Sequence, residues 1–449
     1  MTVAADATVA RTLGEFAAGM AAAEPPAAVL EKLRCNVLHD LGCAAAAHSE
    51  WPALAPLARA DGAAEATVLC AGVRLGAERA AFLNAALMHA RAQDDTHMAA
   101  RTHAGSAVLP AAFAVAEREG RDGAAFAAAA LAGYEVATAV GERLAAATTA
   151  RGFRASMVFG TLGAAAAAAS LLGLDAGGCA NAIAIAGSFS GGLNQAWIDG
   201  SSEWRWELGM AARNGIAAAD LAAAGAVGAR HFYEGDAGFA RAFAGAEDAA
   251  AGDWEMGGRW RILEIVYKPF PICNITQSPV AAAIELVEEN DLAPAAVTAI
   301  RCWLNPGDHA YPGTLNAGPF DGVGAALMSA QYCLAMAVKD RDATLGGLRE
   351  GDDPELLGLV GRTTILADEA IAPLGARVEL TTADGAVHVR ELVAEPETYG
   401  WTWEGVVENS RRMLGEMAID ADGLRRLTDA VARLERLPSP TELVAGTVA

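Results

Sequence analysis

The chain runs to 449 residues, 53% of them hydrophobic and 20% charged, with a formal net charge of −22. That length predicts two domains rather than one, and the apolar content excludes a disordered chain. The acidic balance excludes nucleic acid and an anionic membrane surface as partners, since both would repel it. A small anionic substrate remains compatible, because a few buried cations can rule one pocket locally.

The N-terminus MTVAADATVARTLGEF lacks the basic start and apolar core of a signal sequence, so the expectation is a cytoplasmic protein. From Val9 to about Ala246 the pattern is largely helical and rich in alanine, which loses no side-chain entropy in a helix. Pro25–Pro26 starts one helix, and Arg79–His89 forms another, running into the polar loop ARAQDDTHMAARTHAGS. Ala107–Glu119 and Ala124–Ala147 predict a helical hairpin turned at Gly120–Gly123, with further helices at 160–172, 177–186 and 208–224. Glu135 interrupts the longest apolar stretch, Ala124–Val140, which argues against a membrane span.

Near Trp260 the character changes. A helix at Thr276–Glu289 precedes the β-branched run VTAIRCWL, and a helix at Gly322–Val338 follows. TTILAD and then ARVELTT–AD–GAVHVREL alternate like strands, with Asp384–Gly385 suited to a hairpin turn. The last fifty residues return to amphipathic helix. The predicted fold is mainly α with a smaller α+β domain: a helical body over 1–260 completed by 400–449, and an α+β lid over 261–399.

Seven dispersed cysteines without a CxxC pair, and eight histidines without HExxH, predict reduced thiols and no dedicated metal site. Thirty arginines stand against three lysines, Lys32, Lys268 and Lys339. Such a bias favours keeping lysine where arginine cannot serve, because burial can lower the pKa of an ammonium while a guanidinium stays charged. Chance is the competing explanation for any one of the three.

The segment ALMHARAQDDTHMAARTHAGSAVLPAAF carries Asn84, His89, Asp94, Asp95, Thr96, His103, Gly105 and the Val108–Pro110 helix start in a familiar order. With GYEV at 133–136, GTLGAAAAAASLLGLD at 160–175, GMAARNG at 209–215 and YKPFPIC at 267–273, the chain resembles the MmgE/PrpD family over most of its length. The resemblance implies a helical domain and an α+β lid, a cleft between them, a homodimer, and lyase or isomerase chemistry on small carboxylic acids without a cofactor. Activities in that family include 2-methylcitrate dehydration, cis-aconitate decarboxylation and iminodisuccinate epimerisation, all moving a proton at carbon beside a carboxylate. This chain departs from the family pattern at three places. Ala92 stands for the first Asp of DxDDT, Arg154 for a histidine, and Trp204 for a lysine.

His103 and Lys268 are the candidate catalytic pair. An imidazole on a loop suits a general acid or base, against a purely structural bond to the loop. Lys268, in a loop stiffened by prolines, would hold carboxylate or shuttle a proton, against a surface lysine beside a turn. Asp94, Asp95, Thr96, Arg154, Trp204, Arg205, Cys273 and Tyr311 make up the candidate substrate-binding set. Adjacent Asp94 and Asp95 should point apart, one of them anchoring the loop. Arg154 offers a bidentate fork for a carboxylate or a salt bridge to the acidic loop, and Arg205 has the same two readings. Trp204, with Trp197 and Trp206, is core or pocket wall, and Cys273 is pocket lining. Two function classes follow: an enzyme on a carboxylate less highly charged than 2-methylcitrate, or a ligand-binding relative that has lost turnover.

Overall fold

The computed structural model describes residues 8–59, 63–246, 253–394 and 396–448. Helices dominate the first half because capping groups and alanine-rich stretches fall where the chain must turn. Asp122 and Asp175 each accept a backbone N–H three residues on and so start Gly123–Ala150 and Ala176–Phe189. Alanine and glycine then let the helices meet almost backbone to backbone. A Cβ on Gly133 would lie 2.8 Å from the Gly163 carbonyl, and one on Gly163 would lie 2.6 Å from that of Gly133. Gly123–Ala150 is long and apolar enough to cross a membrane, but 83% of its apolar window is packed inside the protein.

Two hydrophobic cores result. The first gathers residues from Val9 to Tyr267 and takes in Val406, Leu427, Leu434 and Leu443 from the C-terminal helices. Gly123 donates its N–H to the Leu437 carbonyl, and Arg34 grips Glu435 through three contacts of 2.9–3.2 Å, so the chain end is bound to the helical body. The second core lies between Phe270 and Leu380 and includes Ala92, Trp197 and Trp204 from the helical side. Its sheet orders the strands Thr363–Ala367, Val297–Leu304, Ala376–Thr382 and Val387–Leu392. The first pair is parallel and the others are antiparallel. The expected hairpin turns at Asp384–Gly385, with Gly385 at φ +86° and the Asp384 carboxylate accepting from Ala386 N–H and Thr382 Oγ1.

Several helical boundaries differ from the sequence reading, three of them near the site or in the second core. The helices placed at 160–172 and 208–224 begin earlier, as Ala155–Leu171 and Glu203–Ala223, which brings Trp204 and Arg205 onto a helix. The single helix expected over Gly322–Val338 is two, Val323–Met328 and Ala330–Asp340. Ser329 breaks it: its backbone is extended, its hydroxyl caps Tyr332 N–H, and Ala330 N–H turns away to the Thr314 carbonyl.

The loop that carries the acidic motif is fixed from both cores. Thr96–His97 pairs antiparallel with Ile265–Val266, the stretch leading into Lys268. Gln93 donates to the carbonyls of Lys268 and Pro269 at 3.0 and 2.9 Å. The two candidate catalytic residues are therefore tied to one another through backbone before any ligand arrives.

Candidate active site

The end of the Ala77–His89 helix, the loop from Ala90 to His103 and the start of the Ala104–Arg118 helix converge around Asp94. Asp94 is fully buried and collects the His89 Nδ1–H at 2.8–2.9 Å and the Ser106 hydroxyl at 2.5 Å. Burial opposes its ionisation, but His103, His89 and Lys268 hold it well below the usual carboxylate range. Asp95 points the other way, as expected of neighbours on a loop. It accepts from Tyr134 Oη at 2.5 Å and Gly105 N–H at 2.9 Å, and its own N–H donates to Asp40.

Proton positions follow from the partners. Arg154 can only donate, and its Nη2 lies 2.6 Å from His89 Nε2, so that nitrogen accepts and Nδ1 carries the proton shared with Asp94. His103 Nδ1 lies 2.9 Å from the Asp95 carbonyl, which can only accept, so this nitrogen also carries a proton. Thr96 Oγ1 sits 3.3 Å from the same nitrogen. His103 is left with a lone pair on Nε2. Burial pushes its pKa well below the ordinary imidazole range, opposed by Asp94 and reinforced by Lys268, His89 and Arg154. A neutral imidazole with one free lone pair is a base.

Lys268 is 2% exposed, not a surface lysine, and its ammonium donates to the Ala92 carbonyl. Ala92 sits at φ +50°, a left-handed conformation that turns its carbonyl inward without help from a side chain. Lys268 thus bonds a neutral carbonyl oxygen rather than a carboxylate. Burial lowers its pKa, with Asp94 acting against that.

The remaining candidates divide. Cys273 precedes the Asn274–Glu289 helix, and burial raises its thiol, so it is not a ready nucleophile. Tyr311 follows the short helix Pro306–His309. Burial and Cys273 raise its hydroxyl to about 12, while Arg154 and Arg101 pull it down. Arg154 is 3% exposed and spends its fork on Glu207 at 3.1 Å, the Trp204 carbonyl at 2.5 Å and His89. Its charge is matched inside the protein, by Glu207 rather than by the acidic loop. Arg205 turns to Glu50, which also holds Arg349, and stands over the Trp206 ring at 5.1 Å. It bridges surface segments and does not join His103. Trp204 is 2% exposed, edge-on to His89 at 5.1 Å and against Trp197 at 5.2 Å, so it is a core residue that also walls the site. Sequence reasoning passed over His89, Ser106, Glu207 and Tyr134 as site residues. The His89 to Asp94 spacing was the available signal.

His89, Asp94 and His103 bring one potential ligand atom each within 4.8 Å of one another. Their lone pairs do not suit a metal ion. Both Nδ1 atoms carry protons toward oxygen acceptors, and His89 Nε2 is taken by Arg154. Loading a cation would leave the Asp95 carbonyl without this donor and set Arg154 against an N–H.

Residues 11–251 match the MmgE/PrpD N-terminal domain and residues 270–400 the C-terminal domain. The chain belongs to the MmgE/PrpD family. Among relatives in this family, a cis-aconitate decarboxylase of Aspergillus terreus is 26% identical over 465 residues, covering 96% of this chain and 94% of its own. A cis-aconitate decarboxylase-like protein, oryM, of Aspergillus oryzae is 34% identical over 220 residues, 46% of this chain and 45% of the relative. The human cis-aconitate decarboxylase is 35% identical over 178 residues, 38% of this chain and 36% of its own. In this MmgE/PrpD chain the motif residues His103, Asp94 and Lys268 assemble in one place. The departures at 154 and 204 are absorbed by pairing and packing.

Proposed function

We propose that this protein is a metal-independent lyase or isomerase that removes a proton from carbon next to a carboxylate. The observation that carries the reading is His103: neutral, anchored by its Nδ1–H on the Asp95 carbonyl, and free at Nε2. In this reading Nε2 takes the substrate proton, and the C–H electron pair moves into the adjacent carboxylate as enolate character. The Lys268 ammonium, kept out of water, offsets that charge. Collapse of the enolate expels a β-substituent or returns a proton to carbon. In the decarboxylative direction carbon dioxide leaves first, and the Lys268 ammonium gives the carbon its proton and regains one from water after product leaves. Asp94 stabilises the imidazolium formed on the way.

With Arg154 neutralised by Glu207 and Trp204 apolar, the substrate carries fewer charges than 2-methylcitrate. The same reading takes 1–260 with 400–449 as the body and 261–399 as the lid, supported by the two hydrophobic cores, in a cytoplasmic homodimer. A ligand-binding relative without turnover is the second reading, favoured by the side chains at Ala92 and Trp204 that no longer ionise. The test is incubation of the EDTA-treated protein with cis-aconitate, itaconate and related mono- and dicarboxylates, followed by NMR for product or deuterium uptake. Product or exchange with any of them supports the enzyme. Saturable binding with neither supports the second reading.

A further inference from the structure

The stretch between the Ile265–Val266 strand and the Asn274–Glu289 helix is neither helix nor strand, and Pro269 and Pro271 within it have no N–H to donate. Its carbonyls therefore need donors from elsewhere. Two glutamines supply them, one on the following helix and one in the acidic loop. Gln277 donates to the carbonyls of Phe270 and Ile272 at 3.0 and 3.1 Å and accepts the Phe270 N–H at 3.2 Å. Gln93 donates to the carbonyls of Lys268 and Pro269 at 3.0 and 2.9 Å.

Gln93 is fully buried, and its amide is committed at both ends. Oε1 accepts the Arg91 Nε–H at 3.0 Å, and since arginine can only donate, the amide cannot be turned over. Arg91 is itself held by Glu416 and the Ala46 carbonyl, and the Gln93 carbonyl accepts from His39 Nε2 at 2.8 Å. Lys268 is thereby gripped at both ends by consecutive residues. The Gln93 amide binds its main-chain carbonyl, and the Ala92 carbonyl accepts from its ammonium. The next residue in the chain is Asp94, the buried carboxylate of the site.

We propose that Gln93 is a positioning residue for the reaction. Its carboxamide fixes the main chain of Lys268, and through it the place of the ammonium on the Ala92 carbonyl, two residues from Asp94. The proposal rests on the carboxylate chemistry above, in which Lys268 offsets the enolate charge. Gln93 touches no substrate. It acts because a displacement of about 1 Å in a group that stabilises the transition state costs up to about 10²-fold in rate.

Gln93→Met keeps the length of the side chain and removes both donors and the acceptor. Gln93→Glu keeps the acceptor for Arg91 and turns a second oxygen toward the two carbonyls. The chain has three lysines, so lysine labelled with 13C at Cε gives three NMR signals, that of Lys268 assigned with Lys268→Arg. Lys339, ion-paired to Glu350 and Asp353, is the internal reference. In both variants the Lys268 signal should be displaced and that of Lys339 unmoved. The expected fall in kcat is about 10- to 100-fold, with KM changed by less than about threefold. Protonating the introduced acid restores one donor, so kcat of Gln93→Glu, taken relative to the wild type, should recover as pH falls. A merely structural glutamine would lower the melting temperature and leave kcat and the Lys268 signal of the folded protein alone. That result overturns the proposal. If Gln93→Met does not fold, Gln93→Glu decides it on the same readouts. The NMR signals need no substrate, so a wild type that turns over no carboxylate counts against the carboxylate reading alone, and a displaced Lys268 signal still supports its placement by Gln93.

Discussion

At the scale of single residues, the site separates groups that act from groups that hold them. His103→Asn keeps a hydrogen-bonding side chain and removes the titrating lone pair, so the chemical step should slow by about 10²–10⁴-fold in single-turnover kinetics. The buried Asp40 and Asp95 make a second test. The two carboxyls converge over Gly105, with Asp40 Oδ2 lacking any partner, Tyr134 Oη beside them, and Lys32, Asp94 and Lys268 within electrostatic reach. Burial raises Asp95 to about 7, against the Tyr134 and Gly105 hydrogen bonds. Burial together with Asp95 and Asp94 raises Asp40 well above the usual range. Both pKa values lie above those of the unfolded chain. Their contribution is therefore complete below about pH 4 and is lost as pH rises through the raised folded values, about 7 for Asp95. Asp40→Asn mimics the protonated acid, so its stability relative to wild type should improve between pH 5 and pH 8. The gain should be at least about 1.4 kcal/mol, the worth of one pKa unit, by urea denaturation. An equal pH dependence in both proteins would mean the pair does not share a proton. Legibility at this scale follows chemistry. Lys268 and His103 stand out because few residue types can replace them. Arg154 and Arg205 do not reveal whether they bind substrate, because their partners Glu207 and Glu50 lie 53 and 155 residues away in the chain.

At the scale of elements, the start of the Ala104–Arg118 helix controls the site. A Cβ on Gly105 would lie 1.9 Å from Asp40 Oδ2 and 2.5 Å from Tyr134 Oη, with no open side to retreat to. Gly105→Ala should therefore destabilise the fold by about 3 kcal/mol or more, measured by denaturant unfolding. A near-neutral result would mean that the acid cluster is loose enough to rearrange. Helices and the Asp384–Gly385 hairpin were readable because apolar period and turn residues agree there. The break at Ser329 was not, since apolar residues continue on both sides and only the tertiary bond from Ala330 to Thr314 ends the helix. The Thr96–His97 and Ile265–Val266 pairing escaped for a similar reason: two-residue strands carry no period.

At the scale of the molecule, the C-terminal helices close the first core over the Ala27–Ala46 helix, with Val406 and Leu427 fully buried. Truncation after residue 400 should abolish cooperative thermal unfolding rather than release a folded body. The family resemblance made the mainly helical body and small mixed sheet legible. The chemistry of the site was less so, because the three replaced positions look like losses in sequence and prove to be paired or packed in space. Activity should survive exhaustive chelation, since the protons on His89 and His103 leave no ligand set around Asp94; restoration by a divalent ion after EDTA would contradict that. The most direct test of the central claim is proton exchange at the carbon beside the carboxylate, followed by NMR in deuterium oxide. It is run with the substrate found above, for wild type and for the double variant His103→Asn, Lys268→Arg. The account predicts exchange by the wild type and a loss of at least about 10²-fold in a folded double variant. Exchange at the wild-type rate in that variant would contradict it.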